Sequence, residues 1–231
     1  MLDILSQNGI YLLKGSFPDG PLMGLSLTIA IAVIGLALTF PAAVLIALAR
    51  TSNLSLVYWP ATIFVYVVRG IPLLMLIFWS YFMLPVLLGF PIDAVTTLVA
   101  AVIMYQTAYL SEVIRGGIEA LPKGQNEAAR SLGMTYFAIQ TRIILPQALY
   151  NVLPGMINQF TAIIKESSLG AIITVPEITY VAQQINNATV TKPFQIFALL
   201  ALTYFSLCYS LSKFASFVET RVQRKRSGVT A

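Results

Sequence analysis

The longest charge-free stretch of the sequence is Gly20–Ala49, which reads GPLMGLSLTIAIAVIGLALTFPAAVLIALA. An α-helix that crosses the hydrocarbon core of a bilayer needs about 20 predominantly apolar residues. This stretch is long enough to span a membrane, and it carries no Asp, Glu, Lys or Arg that would have to be buried there. It therefore predicts a transmembrane helix over residues 22–49.

The composition of the whole chain agrees with a membrane protein. The 231 residues are 58% apolar and only 10% charged, whereas an average soluble domain carries about 25% charged residues. A water-soluble globule could not cover its surface with so few charges. The sequence also contains no His and a single Cys, Cys208, which excludes His-based acid–base catalysis, His metal ligands and an intrachain disulfide.

Further charge-free runs predict four more spans. Thr51–Val68 and Gly70–Ile92 are separated only by Arg69, and Pro72 disfavours a continuous helix there. We therefore expect one crossing in this region and place the segment 51–69 along the inner interface or at the slanted start of the crossing. The predicted fold is an all-α polytopic bundle with spans at about 22–49, 72–88, 94–112, 147–165 and 194–214.

The distribution of Lys and Arg predicts the orientation, because cytoplasmic loops are enriched in positive charge. With the N-terminus outside, the external side carries two Lys against four acidic residues, and the internal side carries eleven basic against four acidic residues. The reverse orientation would place those eleven cations outside. The sequence therefore predicts an N-out, C-in topology for a single transmembrane domain over residues 1–231.

The largest internal loop, residues 115–145, is the most polar part of the predicted cytoplasmic side. Gly116 and Gly117 are expected to break the preceding helix. Asn126 is expected to cap a short helix whose first turn contains Glu127. Ala128, Ala129 and Ser131 would form a small-residue face, and Gly133 would end the helix. A second helical stretch is predicted from Tyr136 to Leu145.

This loop contains a spaced motif. Glu127-Ala128-Ala129 is followed after three residues by Gly133, and after nine more by Ile143-Ile144-Leu145-Pro146. The frame resembles the EAA loop of ABC importer permeases, E-A-A-x3-G-x9-I-x-L-P, with all seven fixed positions filled. The segments 69–74, 108–117 and 165–169 resemble the polar amino-acid permeases of that superfamily, which are typically five-span type I permeases. The resemblance is greatest to glutamate/aspartate permease subunits.

The resemblance implies a function and partners. The chain would be a transmembrane permease subunit of an ATP-driven amino-acid importer in a bacterial inner membrane. It would form the substrate path with a second permease subunit, identical or homologous. A periplasmic or lipid-anchored binding protein would deliver a polar or acidic amino acid such as glutamate or aspartate. ATP and Mg would bind the partner ATPase dimer, and this chain would be neither an enzyme nor the holder of a cofactor or metal.

Site residues follow from the motif and from the cost of burying charge in a membrane. The residues expected to couple to the ATPase are Glu127, Ala128, Ala129, Arg130 and Gly133. Those expected to line the substrate path, or alternatively only to stabilise packing, are Lys165, Glu166, Ser167 and Ser168. Those expected to act in gating or in packing are Arg69, Glu112 and Arg115.

Two other classes of function remain open at this stage. A stand-alone secondary carrier or channel for small polar solutes would need coupling or gating groups within its own spans and no ATPase. An intramembrane hydrolase would need a nucleophile and a base, and without His the remaining option is Lys165 with Ser167 or Ser168. The intact EAA frame favours the importer.

Overall fold

The computed structural model describes residues 2–226, and this part of the chain is helical with no strand. The helices are α1 (Leu2–Lys14), α2 (Gly24–Arg50), α3 (Ser55–Gly70), α4 (Leu73–Leu88), α5 (Ala94–Glu119), α6 (Lys123–Ser131), α7 (Tyr136–Ile139), α8 (Leu145–Ser167), α9 (Ile178–Thr189) and α10 (Pro193–Arg226). A π-helical turn (Gln140–Ile144) joins α7 to α8, and a 3₁₀ turn (Ser168–Ile173) follows α8. The all-α fold is confirmed.

Each predicted span coincides with a helix. α2, α5 and α10 are long and apolar enough to cross a membrane, and α3 with α4 adds a fourth span if the pair counts as one. α3 occupies most of the segment 51–69, for which the sequence allows two positions, and the chain breaks between it and α4 at Ile71-Pro72. The total of five spans and the N-out orientation stay predictions.

Contacts within the chain define two compact units. The first comprises Met1–Leu38, Ile71–Met104 and Phe160–Leu211, and the second comprises Thr39–Gly70, Tyr105–Gln159 and Ser212–Ala231. These units are defined by contacts within the chain alone. The prediction that residues 1–231 act as a single permease domain stays a prediction.

The first unit has an apolar core where α1, α9 and the start of α10 meet, formed by buried residues that include Leu12, Val181 and Ile196. Glu177 is fully buried and caps α9, since its carboxylate accepts from the backbone N–H groups of Thr179 and Tyr180, both at 2.9 Å. The hydroxyl of Tyr204 also donates to Glu177 at 3.0 Å. The two backbone bonds satisfy donors that a helix start leaves free.

The second unit contains the predicted coupling loop. Its apolar core consists of buried residues from α2, α5, α6, α7, the π-turn and α8: Ala43, Ala47, Leu110, Ile114, Ile118, Ala129, Ile139, Ile144, Ala148 and Val152.

The expected break at Gly116 and Gly117 is wrong, because α5 continues to Glu119. Gly117 is buried, and a Cβ atom there would lie 2.5 Å from Cγ1 of Val152 on α8. A glycine therefore allows α5 and α8 to approach closely. Tertiary packing of this kind overrides the low helix propensity of glycine.

Candidate coupling site and charge cluster

The start of α6 differs from the expectation. The residue before the helix is Pro122, with φ −57° and ψ 126°, and the helix begins at Lys123. Proline suits a helix start because it has no N–H to leave unpaired and its φ is already helical. Asn126 lies inside the helix, where its Oδ1 accepts from Nε of Arg130 at 3.2 Å. The prediction that Asn126 caps the helix and that Glu127 occupies its first turn is therefore wrong.

The end of α6 agrees with the expectation. Gly133 has a φ of +76°, a left-handed conformation that glycine adopts without steric cost. Its N–H donates to the carbonyl oxygen of Arg130 at 2.9 Å, and the N–H of Met134 donates to that of Ala129 at 3.2 Å. A Cβ atom at Gly133 would meet nothing within 4 Å, so the backbone angle rather than lack of space requires glycine here.

The small-residue face of α6 is only partly as predicted. Glu127, Ala128 and Ser131 are exposed, and so is Leu132 directly after the helix. We call these four exposed residues the outer face of α6. Ala129 is only 3% exposed and belongs to the apolar core of the second unit. The prediction that Ala129 shares a contact surface with Ala128 is therefore wrong within this chain, because successive helical residues lie about 100° apart.

Leu132 was missed by sequence reasoning. It is 82% exposed at the end of α6, although the rest of the helix is polar or small. Phe137 in the adjoining α7 is also 75% exposed. Exposed apolar side chains near one another are candidates for burial by a partner. The place of Leu132 directly before Gly133, a fixed position of the motif frame, was the available signal.

The other side of α6 is bound to α8. Nε2 of Gln125 donates to Oε1 of Gln147 at 3.2 Å, and Nε2 of Gln147 donates back to Oε1 of Gln125 at 3.1 Å. Gln147 also donates to the carbonyl oxygen of Ile143 at 2.8 Å. No sequence signal pointed to this pair, since the two residues lie on different helices.

Two of the three residues expected to act in gating or packing, Arg69 and Arg115, meet at the carboxylate of the third, Glu112. Glu112 on α5 accepts from Arg115 at 3.0 and 3.1 Å and lies 3.5 Å from Nη1 of Arg69. Arg50 at the end of α2 also donates to Glu112, and its side chain is 6% exposed. Arg115 extends to Glu119 at 2.5 Å. The local Glu112–Arg115 pair therefore forms part of a larger charge cluster that holds α2, α3 and α5 together.

Two tyrosines complete the charge cluster. The guanidinium of Arg50 lies 5.6 Å from the ring centroid of Tyr66, and that of Arg69 lies 5.1 Å from that of Tyr109. A cation over an aromatic ring at this distance is attracted by the ring's negative face. These contacts help to hold two of the three guanidiniums that surround the carboxylate of Glu112, which alone could not balance their charge.

The predicted substrate-path residues lie at the end of α8 and the start of the 3₁₀ turn. Lys165 is exposed, Glu166 and Ser168 are half-buried and Ser167 is fully buried. The hydroxyls of Ser167 and Ser168 donate to the carbonyl oxygens of Ile164 and Lys165, at 2.8 and 2.6 Å. Both hydroxyl protons are therefore used within the chain, and neither serine is hydrogen-bonded to a base as a nucleophile would be.

α8 carries polar side chains that sequence reasoning did not single out. Gln147 and Asn158 are exposed and Asn151 is half-buried. The spacings of four and seven residues place them on one side of the helix. Between α8 and α5, Gln159 donates to Gln106, which is 1% exposed. Within the described residues, no group of three or more His, Cys, Asp or Glu could hold a metal ion.

The long apolar helices and the exposed helix of the polar loop define a multi-pass membrane protein with a surface suited to another protein. Residues 39–224 match the family described as the binding-protein-dependent transport system inner membrane component. The chain belongs to this family. It is an amino-acid ABC importer permease of the inner membrane, and membership implies an ATP-binding subunit and a substrate-binding protein as partners.

Named relatives support the assignment. The chain is 38% identical over 88% of its length to the inner membrane amino-acid ABC transporter permease protein YhdY of Escherichia coli (strain K12), of which it spans 57%. It is 34% identical over 86% of its length to the probable glutamine ABC transporter permease protein GlnP of Bacillus subtilis (strain 168), of which it spans 91%. Other relatives are named for glutamate/glutamine/aspartate/asparagine, arginine, L-cystine and octopine transport.

A solved structure supports the fold. The crystal structure of an amino acid ABC transporter with histidines matches with a TM-score of 0.82 and 31% identity, covering 95% of this chain and 97% of that one. An inward-facing methionine ABC transporter, MetNI, matches with a TM-score of 0.62 at 18% identity over 84% of this chain, a likeness of fold alone.

Proposed function

We propose that this chain forms the translocation path of an ATP-driven amino-acid importer together with a second permease subunit, and that the outer face of α6 docks on the ATP-binding subunit. The observation that carries the proposal is the division of α6 and the adjoining Leu132 into residues bound within the chain and residues that are exposed. Ala129 and Gln125 are bound within the chain, whereas the side chains of Glu127, Ala128 and Leu132 are exposed. This outer face includes residues of the motif frame.

In this proposal each motif residue has a physical role. Leu132 and Ala128 supply an apolar contact that a partner groove would bury, and Glu127 and Arg130 supply charges at its rim. Gly133 lets the chain turn away directly after the contact. Ala129 remains part of the proposal as the residue that packs α6 against the apolar core of its own chain.

The path is proposed to run along α8. Polar side chains are rare on membrane-spanning helices, and they face a cavity or another helix rather than lipid. Asn151 and Asn158 would therefore face the second permease subunit and the substrate between the two subunits. Lys165 is exposed beyond them on the same helix and offers a cation for the carboxylate of an amino acid, whereas the hydroxyls of Ser167 and Ser168 are already engaged.

The substrate is proposed to be a polar amino acid, with glutamate and aspartate as the first to test. The relatives' names support the class and extend to neutral and basic members of it. A binding protein would present the substrate on the external side. ATP and Mg would act on the partner subunit, since the sequence has no Gly-Lys dipeptide and so no G-x-x-x-x-G-K-[ST] phosphate loop.

Uptake by proteoliposomes tests this function. The chain is reconstituted with its ATP-binding subunit, its permease partner and its binding protein, and labelled glutamate, aspartate, glutamine and arginine are offered in turn with and without internal ATP. We expect ATP-dependent accumulation of glutamate or aspartate. Lys165→Ala should raise the substrate concentration for half-maximal uptake without reducing assembly, whereas loss of assembly alone would support a packing role. Uptake that proceeds equally without ATP would contradict the proposal.

A further inference from the structure

α6 is attached to the segment that runs from α7 into α8 by a polar contact and an apolar contact. The polar contact, between Gln125 and Gln147, has no role in the proposed function. We propose that the reciprocal amide pair Gln125–Gln147 is a positioning contact that makes α6 and the adjoining part of α8 move as one body. The proposal rests on the proposed function, because the movement would come from an ATP-binding subunit docked on the outer face of α6.

The geometry of the pair is directional. Nε2 of Gln147 donates both to the carbonyl oxygen of Ile143 and to Oε1 of Gln125, at 2.8 and 3.1 Å. Because an amide nitrogen has two hydrogens, both are used, and Oε1 of Gln147 is left to accept from Gln125 at 3.2 Å. The backbone carbonyl therefore fixes which end of each amide faces the other, and a carboxylate at position 125 or 147 would lose at least one of these bonds.

An apolar contact lies one helical turn away on the same side of α6. Ala129 follows Gln125 by four residues, and it packs in the core cluster that contains Ile139, Ile144 and Ala148. These three residues belong to the helical segment that runs from α7 through the π-turn into α8. α6 is therefore held against this segment at two successive turns, so that a displacement of α6 is passed to α8.

The pair contributes little to folding, because it is exposed and water competes for exposed hydrogen bonds. The apolar cluster around Ala129 supplies the packing instead. The two reciprocal bonds form only at one relative orientation of α6 and α8, so the pair is suited to setting the angle between the helices while the apolar cluster holds them together. Its loss should leave an assembled transporter that hydrolyses ATP with less transport.

The experiment measures uptake and ATP hydrolysis in the same proteoliposomes that contain the complete transporter. Gln125→Ala and Gln147→Ala should each lower the number of substrates moved per ATP at least threefold, with normal membrane level and normal recovery of the ATP-binding subunit. Asn126→Ala is the matched control, since the side chain of Asn126 bonds to Arg130 on its own helix, and it should keep the wild-type ratio. An unchanged ratio in both glutamine variants would overturn the proposal.

A charge pair tests the contact itself. Gln125→Glu alone removes one of the two bonds and should lower the ratio. Combined with Gln147→Lys, it should restore the ratio, because the introduced ammonium group can donate both to the introduced carboxylate and to the carbonyl oxygen of Ile143. If the double variant is no better than Gln125→Glu alone, the two residues do not act as a pair and the proposal falls.

Leu132→Asp separates this proposal from the proposed function. Loss of the ATP-binding subunit in that variant, with normal ratios in the Gln125 and Gln147 variants, would leave the docking role standing and refute the positioning contact. Normal assembly and coupled uptake in the Leu132 variant would refute the docking role itself.

Discussion

Arg69 and Glu112 meet in the charge cluster, where Nη1 of the arginine lies 3.5 Å from Oε2 of the glutamate. Arg69 lies in the last turn of α3, and Glu112 lies within the second half of α5. The glutamate simultaneously accepts from Arg50 and Arg115. One carboxylate therefore ties together three helices, each of which contributes one arginine.

Replacing this carboxylate should destabilise the protein. Glu112→Gln removes the negative charge that three guanidiniums share, and the buried guanidinium of Arg50 cannot bind water instead. We expect a loss of about 1.5–3 kcal/mol, the usual range for a hydrogen bond to a charged group, seen as a lower melting temperature in detergent. Glu119→Gln is the control, because Glu119 is exposed and pairs with Arg115 at the edge of the charge cluster. Equal melting temperatures for the two variants would contradict the role of Glu112.

Gly117 and Gly116 form a matched pair for testing the close approach of α5 and α8. A Cβ atom at Gly117 would lie 2.5 Å from Val152, whereas one at Gly116 would meet nothing within 4 Å. Gly117→Ala should cost about 1–3 kcal/mol by overpacking. Gly116→Ala should be neutral or stabilising, since alanine favours a helix. Thermal unfolding of the two variants measures the difference, and a reversed order would show that the two helices do not pack as described.

Gly133 provides a test of the loop that follows α6. Its φ of +76° costs a residue with a side chain about 1–2 kcal/mol, whereas asparagine tolerates this conformation better. Gly133→Asn should therefore keep coupled uptake, and Gly133→Ala should reduce it moderately. Gly133→Asp adds a charge next to Leu132 and should leave the protein inserted but uncouple transport from ATP hydrolysis. Wild-type uptake and substrate-stimulated hydrolysis in Gly133→Asp would refute the coupling role of the turn.

Glu177 should give the first unit a pH-dependent stability. Burial raises the pKa of this carboxyl above its usual 4.5, although the hydrogen bonds from Thr179 and Tyr180 partly offset the effect. The folded state then binds the proton more tightly than the unfolded chain, so this group's contribution is greatest below pH 4.5 and declines as pH rises through the raised pKa.

Glu177→Gln mimics the protonated form and checks this sign. The variant should unfold at nearly the wild-type temperature at low pH, and its melting temperature should fall less than that of the wild type as the pH rises toward 8. Melting curves in detergent from pH 4 to 8 measure the difference. A wild-type protein that gains stability over this range relative to the variant would show that the carboxylate is favoured by its hydrogen bonds more than it is disfavoured by burial.

The helix positions could be predicted because the constraint on them is local. Gly20–Ala49 lacks charge over its whole length, and the bilayer alone then requires a helix there. α2 begins at Gly24 and ends at Arg50, close to the predicted limits. The turn at Gly133 was likewise predictable, since a left-handed residue after a helix is most often glycine.

The features that were missed depend on contacts between distant parts of the sequence. Gly117 is expected to break a helix unless its close approach to Val152 is known. Ala129 is expected on the surface unless its place in the apolar core with Ile139 and Ile144 is known. The pairing of Gln125 with Gln147 depends on how α6 folds back onto α8. None of these contacts can be predicted from local propensity or periodicity.

The most direct test of the proposed coupling is affinity purification of the tagged chain from membranes in which the ATP-binding subunit is co-expressed. We predict stoichiometric recovery of the ATP-binding subunit with the wild-type chain, and its loss with Leu132→Asp although the variant inserts at the normal level. A wild-type chain that purifies without the ATP-binding subunit and still accumulates amino acids in proteoliposomes would contradict the proposed coupling.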